Sequence, residues 1–284
     1  MTGLFYKTAW NTIKSDIMNA MHAFWSLDSR SFHSVNEAFL LLLKKKDQPT
    51  EIRDYRPISL IHSFGKLITK CLANRLSTVI GTLVRRNQSA FIKGRSIHDN
   101  FRDVQLTCKH LHKRKTSSVL LKVDVAKAFD SLAWVFLLEV LQHMGFGPRW
   151  RDWISVLLSS ASTRILLNGR PGRRVCHARG LRQWDPLSPL LFVLIMEVLN
   201  ALLDWVEERG FLTPLHGIPG ARVSLYADDL VIFVAPLERD LLTIRGVLSI
   251  FGLASGLFSN LDKSVATPIF CSQEDMARVQ NILM

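Results

Sequence analysis

SLYADDLVIF, residues 224–233, sets two adjacent aspartates, Asp228 and Asp229, into an otherwise apolar run. Two carboxylates about 4 Å apart repel by roughly 4 kcal/mol at an effective dielectric of about 20. The pair therefore calls for either a bound cation or a solvent-exposed turn. The wider stretch ARVSLYADDLVIFVA (221–235) reads as a hairpin with the aspartates at or near its tip. Taken alone, an Asp-Asp pair there is ordinary turn chemistry.

Working outward, SVLLKVDVA (118–126) is short, apolar and rich in β-branched residues, which predicts a buried strand carrying Asp124. TRILLNGRPGRRVCHARG (163–180) holds Asn168-Gly169 between two strand-like runs, a second hairpin signal. AFLLLLKKK (38–46) predicts a strand, and DQPTEIRDYRP after it a polar connection. Helical spacing marks 4–25, 63–83, about 131–143 and the segment after MGFGPRW. A loop over 87–100 leads into a helix to about 113. DPLSPLLFVLIMEVLNALLDWVEERG (185–210) predicts a long helix, with Pro near its start and Gly after its end. LERDLLTIRGVLSIFGLASGL predicts a helix, SVATPIF a short strand, and QEDMARVQNILM another helix.

This order is an α+β pattern with mostly antiparallel pairing. It sets LKVDVA beside the hairpin, so that Asp124 faces the aspartate pair. Three carboxylates converging on one sheet face suit a hard divalent cation such as Mg²⁺, which shares carboxylates with substrate phosphates. Two such ions about 3.5–4 Å apart can serve in-line phosphoryl transfer.

The bulk numbers agree. The 284 residues carry 36 Lys+Arg against 24 Asp+Glu, a formal net charge of +12. That excess fits a polyanionic partner, with nucleic acid first and an acidic membrane second. The four cysteines, Cys71, Cys108, Cys176 and Cys271, form no C-x-x-C pair, which favours a reduced intracellular compartment over a disulfide framework. Charged and polar residues interrupt MTGLFYKTAWNTIKSD, so no signal peptide is expected. The longest apolar run, LLFVLIM (190–196), is too short to span a bilayer.

YADD, together with the upstream aspartate in LKVDVAKAFDSL, resembles the polymerase core of reverse transcriptases, in particular the non-LTR (LINE-type) retrotransposon class and its plant copies. The resemblance runs in order through YRPISL, NQSAFIKGRSIHDN, LKVDVAKAFDSL, GLRQWDPLSPLLF, YADDLVIF and SGLFSNLDKS. It implies a right-hand polymerase with fingers and a palm whose sheet is mostly antiparallel. Residues 1–47 would form an N-terminal helical extension and first fingers strand, 48–117 the fingers with a template-contacting loop, and 118–284 the palm. No thumb or endonuclease is recognised, so the chain is expected to be a truncated piece.

The resemblance also implies roles. Asp124 and Asp228 would be the main ligands of two Mg²⁺ ions, replaceable by Mn²⁺, with Asp229 the third carboxylate and Val125 offering its carbonyl. Phe129 would be the steric gate against a 2′-hydroxyl, and otherwise a core ring. Arg56 would clamp the incoming dNTP with help from Lys66, and Gln183 would touch the nucleotide and template. Lys263 would be a general acid for pyrophosphate, and otherwise a loop lysine. Gln88, Phe91, Lys93, Gly94 and Arg95 would contact the template. The partners implied are an RNA template, a DNA primer and dNTPs, with no membrane, in an intracellular, nuclear setting.

GLRQWDPLSP departs from the family pattern GLRQGDPLSP, since Trp184 stands where a glycine allows unusual backbone angles. An indole there would need a place outside the pocket or would obstruct it, so impaired polymerisation is expected. A non-catalytic nucleic-acid-binding relic of the same fold is the competing reading. A maturase-type reverse transcriptase would want a basic segment after a thumb. RNA-dependent RNA polymerases usually carry Gly-Asp-Asp and avoid a bulky gate, so Ala227 and Phe129 argue against them.

Overall fold

The computed structural model describes residues 3–27, 32–215 and 222–283. In chain order the elements are α1 (Gly3–Thr8), α2 (Trp10–Trp25), α3 (Phe32–Val35), β1 (Glu37–Lys44), β2 (Tyr55–Ile61), α4 (Ser63–Ser77), α5 (Ile80–Leu83) and α6 (Ile97–Lys113). Then come β3 (Ser118–Val125), α7 (Ala128–Ser131), α8 (Trp134–His143), α9 (Pro148–Ser159), β4 (Ser162–Leu167), β5 (Arg170–Cys176) and α10 (Ser188–Glu208). The last are β6 (Val223–Tyr226), β7 (Asp229–Val234), α11 (Glu238–Ser255), β8 (Ser259–Ile269) and α12 (Gln273–Leu283). Both predicted hairpins form; Ala221, the first residue of the expected second one, lies outside the described residues. Asn168 and Gly169 both take positive φ, as a two-residue turn between twisted strands demands.

The chain divides into two compact units, Met1–Arg75 with Leu141–Ser188, and Leu76–Val140 with Pro189–Met284. The first holds a sheet of order β2-β1-β4-β5, antiparallel except for the β1–β4 pair. The second holds a fully antiparallel sheet of order β6-β7-β3-β8.

Three expectations are corrected here. The polar stretch ending in YRP leads straight into β2, whose Pro57 and Arg56 pair with Leu42 and Leu43. A proline lacks an N–H to donate, and β2 tolerates it because it is an edge strand. The strand expected at SVATPIF begins earlier, at Ser259, so SNLDKS is strand rather than loop. The apolar run at 190–196 is one part of the 21-residue α10, long and apolar enough by composition to cross a membrane. Two thirds of its most apolar stretch is nevertheless buried inside the protein. It also carries the buried polar residues Glu197 and Asn200, which mark a core helix.

In the second unit the sheet has two unlike faces, because side chains alternate along a strand. Val119, Leu121, Val123, Leu230, Ile232 and Val234 form one face, and all are buried. On the other face Leu120 and Phe233 pair across strands and pack with Leu111, Val104 and Cys108 of α6. Farther along the same face come Lys122, Asp124 and Asp229, where apolar cover gives way to charge. This change along one face is what positions the site.

Candidate functional site

The β3–β7 register pairs Val123 with Leu230, so the next step places Asp124 opposite Asp229. Asp124 is half-buried, and Asp228 and Asp229 are exposed. Lys122 Nζ stands 3.3 Å from Asp229 Oδ1, a cation that partly offsets the repulsion within the pair. Sequence reading missed Lys122, although the i, i+2 spacing to Asp124 puts both on one face. The donor set, carboxylate oxygen with a backbone carbonyl next in sequence, suits a hard divalent ion by its chemistry. Among the described residues, no three His, Cys, Asp or Glu side chains are gathered closely enough to hold one.

Asp228 sits in a two-residue turn closed by the Tyr226–Asp229 pair. Its neighbour Ala227 takes φ +56, a left-handed conformation that costs an L-residue roughly 1–2 kcal/mol. On the other flank of Asp124, β8 carries a bulge. Lys122 pairs with Val265 but Asp124 with Asn260. Ser264 closes it, donating to the Asn260 carbonyl (2.8 Å) and accepting from the Asp124 N–H (3.1 Å). Lys263 is exposed within this bulge. Bulges re-aim side chains beside active sites.

Phe129, on the short α7, is partly exposed and stacks on buried Phe192 of α10, with centroids 4.7 Å apart and planes 19° apart. Lys127 turns the chain out of β3 with φ +48. The ring is thus backed by Phe192 and remains partly open to solvent.

The expected template segment divides into two kinds of residue. Phe91, Lys93 and Gly94 are exposed, with φ +61 at Phe91 and +82 at Gly94. Arg95 and Gln88 are committed inward instead, contrary to the expectation. Arg95 donates to the carbonyls of Arg85 (2.5 Å), Gln88 (2.7 Å), Val84 (2.9 Å) and Gly81 (3.1 Å), so it caps the end of α5. Burial pulls its guanidinium pKa down. Gln88 is 0% exposed. The segment is bound to β6: Asn87 O accepts from Leu225 N (2.8 Å), and Asn100 Nδ2 donates to Leu225 O (2.7 Å) and Ser224 Oγ (3.0 Å). Below it Arg85 pairs with Glu197 and, at 2.9 Å, with Asp204, while Asn87 and Asn200 exchange amide hydrogen bonds at 2.8 and 2.9 Å.

The first unit carries Arg56, Lys66 and Gln183, all exposed. The loop around Gln183 is anchored on both sides. Arg182 donates to Asn36 Oδ1 (2.5 Å), the Asn36 carbonyl and the Ser162 carbonyl (3.0 Å), and burial lowers its pKa to about 10. Asp185 accepts from Leu187 N (2.8 Å) and Ser188 N (3.3 Å), capping α10, and burial pushes its carboxyl up. Between these anchors Trp184 takes φ +69 and is 69% exposed. The position thus has the backbone angle that glycine allows, and the indole has gone to the surface.

The chain is 30% identical over 92% of its length to a transposon TX1 149 kDa protein of Xenopus laevis. It is 31% identical over 71% to the Pol polyprotein of the type-2 retrotransposable element R2DM of Drosophila melanogaster. A mitochondrial protein of Arabidopsis thaliana is 45% identical over 23% of the chain and 56% of its own length. The chain spans about a fifth of the two retroelement relatives (20% and 18%). A telomerase of Candida tropicalis superposes with TM-score 0.61 at 13% identity, over 84% of this chain and 51% of that one. That likeness shows the fold, a right-hand polymerase. Since the reverse transcriptase (RNA-dependent DNA polymerase) family matches residues 43–274, the chain belongs to that family.

Proposed function

We propose that this chain carries the polymerase centre of a LINE-type retroelement, adding dNTPs to a primer 3′-hydroxyl on an RNA template. The observation that carries the proposal is the strand register that sets Asp124 beside Asp229 at the open end of one sheet face. Asp124, Asp228, Asp229 and the Val125 carbonyl would hold two Mg²⁺ ions, or Mn²⁺ in their place. Bound there, such ions supply Lewis acidity to phosphoryl oxygens and lower the pKa of an attacking hydroxyl. The residues do the rest. Arg56 offers a planar fork to phosphate oxygens, and Lys66 a point charge. Lys263 supplies a proton to departing pyrophosphate. Gln183 contacts the nucleotide and template, and Phe91, Lys93 and Gly94 the template strand.

Phe129 excludes ribonucleotides by its ring, which Phe192 prevents from tilting away. Primer extension on a primed RNA template, with dNTPs against rNTPs, tests the whole reading. Phe129→Ala should cut the preference for dNTPs by roughly 10- to 200-fold, the range a misfit in a shaped pocket commands. Unchanged preference would remove Phe129 from this role.

Trp184 favours a second reading, a binding relic with weak or no catalysis, through backbone strain and not through obstruction, because its indole lies at the surface. A bulky residue at φ +69 is a strained substitute for glycine. Trp184→Gly should raise extension activity, and should raise stability by about 1 kcal/mol through relief of that strain. Extension rates and thermal melting of the two proteins check both halves; a glycine variant no faster than the parent would remove this explanation.

A further inference from the structure

We propose that Gln88 is a positioning residue for the turn that presents Asp228 and Asp229, a role that rests on the polymerase reading above. Its carboxamide joins that turn to Gln88's own segment. Oε1 accepts from Ala227 N at 3.1 Å and from Ala90 N at 3.0 Å. Nε2 makes a longer, 3.5 Å contact to the Ala227 carbonyl. One side chain thus meets both polar groups of the residue immediately before Asp228. No hydrocarbon side chain can do this, and an ionised carboxylate or ammonium could match only one of the two.

The partner matters as much as the bonds. Ala227 is the left-handed residue of the turn, with φ +56, and no glycine relieves it. Type II′ turns ordinarily place glycine at this first position. A side chain that accepts from the N–H of the strained residue and lies against its carbonyl favours the turn conformation that leaves Asp228 exposed. Gln88 can do so because its own backbone is fixed. It forms a parallel bridge with Leu225, and Ser89 N donates to the Leu225 carbonyl at 3.3 Å. The segment 87–89 therefore extends the sheet beyond β6 and reaches the turn from beneath. Its burial keeps water from competing for the two N–H groups.

Hydrogen exchange of the Ala227 amide, followed by NMR on the whole chain, tests the proposal. Gln88→Met keeps length and volume but offers no strong acceptor. Exchange at Ala227 should quicken about tenfold, the loss of one ordinary hydrogen bond. Thr107→Val is the control. It deletes a buried hydroxyl of α6 that donates to the Asp103 carbonyl, and it should leave Ala227 within about twofold of the parent. Should Gln88→Met fail to fold, Gln88→Asn, one methylene short of the turn, predicts the same acceleration. In primer extension, Gln88→Met should lower kcat about tenfold and leave KM for dNTP within about twofold. Unaltered exchange at Ala227, equal acceleration in Thr107→Val, or an unaltered kcat beside fast exchange would each overturn the proposal. A parent protein that extends no primer counts against the polymerase reading alone, and the exchange measurement then decides the role of Gln88 by itself.

Discussion

Asp228→Asn should leave the melting temperature unchanged and reduce primer extension about a thousandfold or more. Asp228 is exposed at a turn, and asparagine fits that turn as well, so nothing in the core is disturbed. What changes is charge. An amide oxygen is a poorer ligand for a hard cation than a carboxylate. A loss of about 4 kcal/mol in transition-state stabilisation corresponds to that thousandfold drop, at about 1.4 kcal/mol per factor of ten. Rates on a primed RNA template, with melting curves of the same preparations, give both quantities. Activity within tenfold of the parent would take Asp228 out of the catalytic centre.

Gly256→Ala should produce the largest loss of stability among single methyl additions at the described glycines of the second unit. A Cβ at Gly256 would stand 2.4 Å from the Ser131 carbonyl oxygen and 3.5 Å from Ala133 N, and the residue has φ +79. Gly256 follows α11, and the neighbouring Ser255 carbonyl accepts from Ala133 N at 2.8 Å. The methyl would therefore push apart the junction that holds α7, and with it Phe129. Overpacking against backbone costs about 1–3 kcal/mol and the left-handed angle roughly 1–2 more. Together these predict a fall in melting temperature of about 10 °C. Gly210→Ala separates the two causes. Gly210 has φ +74 with open space around its Cβ direction, so it carries the strain without the clash. A Gly256→Ala protein that melts no lower than Gly210→Ala would contradict the packing argument.

How much of this was legible in the sequence depended on whether the signal was local. The YADD hairpin was, because two apolar runs bracket a pair of turn-forming acids. So was the Asn168-Gly169 hairpin, since that dipeptide adopts the required angles by itself. The β2 strand was not. Arg56 and Pro57 are loop-like by composition, and only pairing with Leu43 and Leu42 on an edge makes them strand. The bulge at Lys263 was hidden for a related reason, since Ser264 creates it through a bond to the Asp124 N–H, 140 residues away in sequence.

The site residues follow the same rule. Carboxylates on one strand face could be inferred from period two and a plausible pairing. Gln88 and Arg95 could not, because an amide and a guanidinium beside a glycine look the same whether they meet a template or a backbone. Their commitment to Ala227 and to the carbonyls of α5 is decided by tertiary packing. Trp184 lay between these cases. Its departure from a glycine pattern was readable, and the φ of +69 gives the physical reason that glycine suits the position.

The central claim is that acids from two segments about a hundred residues apart in sequence act as one site. Mn²⁺ binding, followed by electron paramagnetic resonance in the parent, Asp124→Asn, Asp228→Asn and the double variant, tests it most directly. Each single substitution should weaken Mn²⁺ binding at least about tenfold, and the double variant should lose little more than either single one, as residues of one shared site do. Binding that depends on Asp228 and is indifferent to Asp124 would contradict the claim.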